Sequence, residues 1–312
     1  MKKLRIVLLV VLPLLSSISF AQKSFVDYFE KKGSEKIQKS ISMDVFTKPV
    51  ANKSATDGHG KNPYFTSKSQ LPKKVALITF NINDLGFRNF TVATVTYGSL
   101  TEEGGNLLAT QIHDLSIDKL KAKFLEYGVE LLTPAEYLDT EEKINYYYKE
   151  FAPEVSKMGE FLSDIETRGR DISAAADYYR YFDLGAANDF LRAQSLGADL
   201  ASKLQVDAVF SIGFVVQSDE KKGYFRSIKM AMHGPNPTPK QDKKYVAQKM
   251  GNGYYEGQLY VSGFLNFDKA IEFLEIGKTQ FKEINIKGLD DIFPVFIDRF
   301  YAEIYKSIEK AQ

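Results

Sequence analysis

The chain has 312 residues, 44% hydrophobic and 26% charged, which argues against an intrinsically disordered chain and against a polytopic membrane protein. Lys and Arg number 41 against 40 Asp and Glu, which argues against a nucleic-acid binder. With no Cys and no Trp, stability rests on packing by 23 Phe and 18 Tyr, without disulfides or a cysteine-linked lipid anchor.

Lys2, Lys3 and Arg5 precede an apolar run from Ile6 to Leu15, and Ser19-Phe20-Ala21 supplies small residues for cleavage. The run is shorter than the roughly 20 residues a bilayer span requires, so residues 1–21 read as a signal peptide. The mature chain is expected to begin at Gln22, in the periplasm or outside the cell. The three cations leave with the signal, so 38 basic side chains face 40 acidic ones. No later apolar stretch reaches the length of a transmembrane helix.

Residues 22–72 read as an amphipathic helix followed by a polar linker. Phe25, Tyr28, Phe29, Ile37 and Ile41 mark one helix over Gln22 to Phe46, and Thr47 to Lys74 is rich in Lys, Ser, Asn, Gly and Pro. Residues 73–312 form the expected α/β domain with insertions, opening with a buried strand at Lys74 to Phe80. Phe87 to Tyr97 alternates like a strand or hairpin, and Glu102-Glu103-Gly104-Gly105 reads as a turn or loop. Ile117, Leu120 and Phe124 recur at helical spacing, with Gly128 as the C-cap and Val129 to Leu132 as a short strand.

Thr133-Pro134-Ala135-Glu136 is a complete helix start, and Tyr137, Ile144, Tyr148 and Phe151 extend its apolar face. Lys157 to Leu204 is predicted helical in pieces broken near Gly169 and Gly185, ending with a stripe of Phe190, Ala193, Gly197, Leu200 and Leu204. Val206 to Val216 is then the central strand, with antiparallel strands around Met230 and over Gln258 to Phe267 flanking it. Phe293, Phe296, Phe300, Ile304 and Ile308 form the stripe of a closing helix.

Candidate chemistry is sparse. His59, His113 and His233 are scattered without metal-ligand spacing, so no metal or cofactor is predicted. His113-Asp114 is the one His beside a carboxylate, but no Gly-x-Ser-x-Gly elbow accompanies it, and no catalytic residue is assigned. Gly251 to Gly257 precedes a strand, whereas a phosphate-binding glycine loop follows one, so it reads as a hairpin or a mobile loop. The adjacent pairs Glu102-Glu103, Glu141-Glu142 and Asp290-Asp291 are expected to point apart, and Lys221-Lys222 and Lys243-Lys244 to lie on solvated loops. Tyr146, Tyr147 and Tyr148 cover more than one helix face, so at least one ring is expected exposed and available to a partner.

The opening strand Lys74 to Phe80, the helix leading to Val129–Leu132, and the helix running through Leu200-Ala201-Ser202-Lys203-Leu204-Gln205-Val206-Asp207-Ala208-Val209 resemble the periplasmic α/β domain of the curli-secretion lipoproteins. Similar domains stand at the amino terminus of the Tol-system propeller protein and in outer-membrane activators of peptidoglycan synthases. The resemblance spans roughly residues 73–312 and implies a mixed β-sheet flanked by helices, with an envelope protein or envelope component as partner. This chain departs from it in lacking the lipid-bearing Cys, in an insertion at about Asn83 to Asp114 and in a longer second helical region. Lipid anchoring and channel formation therefore do not carry over. The expected function is a non-enzymatic envelope protein with an α/β binding or assembly module. The alternatives are an exported hydrolase that assembles His113 and Asp114 with a distant Ser, and a membrane-inserting assembly subunit.

Overall fold

The computed structural model describes residues 24–44, 65, 67–85, 87–91, 94–98, 100–155, 157, 160, 172–183, 190–218, 222–237, 249–250, 253–254, 256–276 and 281–309. The predicted signal peptide, His59, Gly169, Gly185, Lys221 and Lys243-Lys244 lie outside these residues, as does most of the predicted linker. The fold is α/β, an eight-stranded mixed sheet flanked by helices.

The sheet is organised around β2 (Lys74–Asp84), which pairs in parallel with β5 (Glu130–Leu132) on one side and β7 (Ala208–Ser218) on the other. Helix α3 (Glu102–Glu126) lies between β2 and β5 over one face, and the helical residues 134–150 together with α6 (Phe190–Gln194) and α7 (Ala201–Leu204) pack over the opposite face ahead of β7. Two crossovers of the same hand to opposite sides of one strand must run over opposite faces. Beyond β7 the sheet turns antiparallel through β8 (Lys222–Pro235), β11 (Gly257–Ile276) and β1 (Ser42–Asp44). The two strands expected to flank β7 therefore lie in succession on one side of it. Strand β12 (Phe281–Ile284) pairs with the end of β11, and β6 (Ile172–Ala175) with the end of β2, where a helix was expected.

The larger core lies between the sheet and the helices α1 (Phe25–Lys32), α2 (Ser34–Ser40), α3 and α8 (Ile292–Glu309). Its predicted stripe of Phe293, Phe296, Phe300, Ile304 and Ile308 is buried throughout. The amino-terminal helix is two helices, because Gly33 at φ +71° stops the first and its amide closes on the Phe29 carbonyl. The continuous apolar run in β2 serves both cores. Val75 and Leu77 face the larger one, a bulge between Leu77 and Thr79 resets the alternation, and Phe80 and Ile82 face it again. Ala76 and Ile78 face the smaller core with Tyr137, Tyr147, Phe182, Leu200 and Val209.

Of two local readings, the fold selects one and overturns the other. Phe87 to Tyr97 forms both arms of a hairpin, β3 (Phe87–Thr91) with β4 (Thr94–Gly98). Buried Asp84 closes the base of this excursion by accepting the amides of Leu100 at 2.7 Å and Ser218 at 3.0 Å, and the Ser218 hydroxyl. The expected loop at Glu102 to Gly105 is the first turn of α3. The Thr101 hydroxyl caps Gly104 at 3.0 Å, and two acidic side chains meet the positive helix end, which together offset the poor helix propensity of glycine. Among the described residues no helix is long and apolar enough to cross a membrane.

Candidate partner-binding surface

Thr133 and Glu136 form the predicted capping box at the start of α4 (Pro134–Tyr137). The helix stops after one turn and restarts at a second cap, Thr140, as α5 (Glu141–Asn145), which passes into a π-turn over Tyr146–Glu150. The restart and the wider turn shift the helical phase, so the apolar stripe drawn through Ile144 and Tyr148 does not face inward. Ile144 is 43% and Tyr148 38% exposed, and Tyr147 is buried in their place.

Tyr147, one of the three tyrosines expected to meet a partner, is therefore buried and presents no ring at the surface. Its hydroxyl donates to the Ile78 carbonyl at 2.7 Å and accepts the Arg180 amide at 3.0 Å, while the Tyr137 hydroxyl reaches the Leu77 carbonyl at 3.3 Å. These two phenols serve the stretch of β2 between its pairings with β5 and β6. Burial pushes Tyr147 up to about 12 and Tyr137 well above its ordinary value, so both remain neutral donors. Tyr146 is half-buried against Phe151, with the Lys203 ammonium 5.4 Å from its ring centre. Tyr148 points outward, and its hydroxyl donates to the carbonyl of Tyr178.

Tyr178 carried no signal in the sequence. It is 81% exposed and adopts φ +66°, the left-handed conformation that favours glycine or asparagine. It occupies the third position of a turn closed by the Tyr179 amide on the Ala176 carbonyl at 3.0 Å. The backbone on either side is held from α3 and from the π-turn. Asn106 accepts the Ala175 amide at 3.0 Å, Thr110 accepts the Asp177 amide at 3.0 Å, and Arg180 donates to the carbonyls of Phe151, at 2.8 Å, and Tyr147.

His113 belongs to this scaffold. Its Nδ1 lies 3.0 Å from Asp114 and its Nε2 3.1 Å from the buried Tyr179 hydroxyl, with Phe80 edge-on to the ring at 5.4 Å. Asp114 is exposed, and neither partner of the imidazole is a serine. His233 is buried in β8, and among the described residues no group of three His, Asp or Glu side chains is placed to hold a metal. Within the glycine-rich segment, β10 (Gly253–Tyr254) pairs antiparallel with β9 (Lys249–Met250), and Gly257 lies against the backbone of Ala193, Gln194 and Ala198.

The charged pairs separate by context. Asp290 and Asp291, expected to point apart, both reach the Lys119 ammonium from a 3-10 turn (Leu289–Asp291), Asp291 at 2.7 Å. They border a groove of about 440 Å³ walled by Val26, Leu115, Ile284 and Ile286. Glu142 pairs with Lys203 at 2.5 Å and Lys222 with Glu272 at 2.8 Å. Comparison with protein-family models, curated proteins and solved structures finds no match to the chain.

Proposed function

We propose that this chain is an exported, non-enzymatic protein of the cell envelope whose α/β domain binds another protein or an envelope component through the surface bearing Tyr148 and Tyr178. The observation that carries this reading is Tyr178: a bulky aromatic that is 81% exposed at φ +66° serves stability in neither its exposure nor its backbone. Aromatic side chains concentrate binding energy at interfaces, because a large ring is desolvated there at little cost in side-chain freedom. The export signal supplies the compartment, and the order of elements resembling the curli-secretion domain supplies the kind of partner.

The test is capture of envelope components by the full mature chain, comparing the parent with Tyr178→Ser and Tyr148→Ser at equal folded concentration. A component retained by the parent and lost from both variants supports the reading. Retention by both variants, or a hydrolytic activity abolished by His113→Ala, overturns it.

A further inference from the structure

We infer that Asn106, Thr110 and His113 are positioning residues of this surface, a ladder on one face of α3 that holds Tyr178 in its displayed, left-handed conformation. The inference rests on the reading of Tyr148 and Tyr178 as the binding surface. Spacings of four and three residues put the three side chains on one helical face. Their contacts climb the turn in step: Asn106 takes the Ala175 amide at 3.0 Å, Thr110 the Asp177 amide at 3.0 Å, and His113 the Tyr179 hydroxyl at 3.1 Å.

Each contact fixes a residue within three of Tyr178 and none touches the Tyr178 ring. The opposite side of the turn is held by the Tyr148 hydroxyl on the Tyr178 carbonyl and by the Tyr147 hydroxyl under the Arg180 amide. A residue in an unfavoured backbone region persists only where its surroundings over-determine it, and these contacts supply that determination. Their functional consequence is preorganisation, since a ring ordered before the encounter loses less freedom on binding. His113 thus acts on the partner through Tyr179 and the turn.

The experiment uses the full mature chain carrying 3-fluorotyrosine, with the Tyr178 resonance assigned by its loss in Tyr178→Phe, together with amide hydrogen exchange at Ala175 and Asp177. Thr110→Val is expected to speed exchange at Asp177 by about tenfold or more and to move the Tyr178 resonance toward that of free tyrosine, while Thr110→Ser restores both. His113→Leu, which leaves both backbone acceptors in place, is expected to move the resonance without exposing the Asp177 amide. Unchanged resonance and exchange in Thr110→Val and an unchanged resonance in His113→Leu would overturn the inference, as would failure of Thr110→Ser to restore a loss. The two readings fail separately: capture that depends on Tyr178 with an inert ladder removes only the positioning role, whereas a working ladder with capture indifferent to Tyr178→Ser removes the binding surface.

Discussion

Tyr178 and Tyr147 are neighbours across one turn with opposite roles, and substitution separates them. Replacing Tyr178 with Gly relieves a left-handed conformation worth about 1–2 kcal/mol for an L-residue, against roughly 1 kcal/mol of backbone entropy. Urea unfolding is expected to find Tyr178→Gly at least as stable as the parent even though partner capture falls. Tyr147→Phe is the converse case. It leaves the Ile78 carbonyl and the Arg180 amide without their buried partner, which is expected to cost about 1–3 kcal/mol in the same measurement. His113→Ala takes away the partner of the Tyr179 hydroxyl and is expected to weaken capture when compared with the parent at equal folded concentration.

At the level of elements, helix starts and backbone approaches carry the predictions. Burial works against the Glu136 charge, but the Lys121 ammonium and the Thr133 amide and hydroxyl more than offset it, so the carboxyl is held below its usual range. A depressed folded value means the contribution is complete above the unfolded carboxylate value of about 4.3 and is lost as pH falls through the folded one. The stability gap between the parent and Glu136→Gln is therefore expected to be flat near neutrality and to close in acid. With the side chain 43% exposed, that gap is below about 1 kcal/mol. Gly197 predicts a larger effect. A Cβ there would sit 2.5 Å from the Gly234 carbonyl oxygen and 2.9 Å from the Gln258 amide nitrogen, both backbone atoms. Gly197→Ala is expected to push the helix off the sheet and cost about 1–3 kcal/mol by thermal or urea unfolding.

For the whole molecule, the parallel pair at the centre of the sheet is the most secure unit. β7 is buried along nearly its whole length, and Asp207 just before it accepts the amides of Lys73 at 2.8 Å and Lys74 at 2.9 Å, tying the start of β2 to the start of β7. Hydrogen exchange is expected to find Val209 to Val216 the slowest segment of the chain, and Asp207→Ala to loosen β2 before β7. Fast exchange along β7 would contradict this order of stability.

What could be read from the residues was what local periodicity and caps encode. The β2 and β7 strands, the capping box at Thr133, the positive φ of Gly128 and the aromatic stripe of α8 were legible because each is written in a short window of adjacent residues. The split at Gly33 was hidden because the apolar spacing of Phe25, Tyr28, Phe29, Ile37 and Ile41 runs across it, and the strand at Ile172–Ala175 and the inward turn of Tyr147 were not legible, since a short Ala-rich strand and a π-turn leave no periodic trace. The candidate surface lay further out of reach. Tyr178 owes its conformation to Asn106, Thr110 and Tyr148, between 30 and 72 residues away in sequence, and only the packing of α3 and the π-turn around β2 brings those groups to one turn.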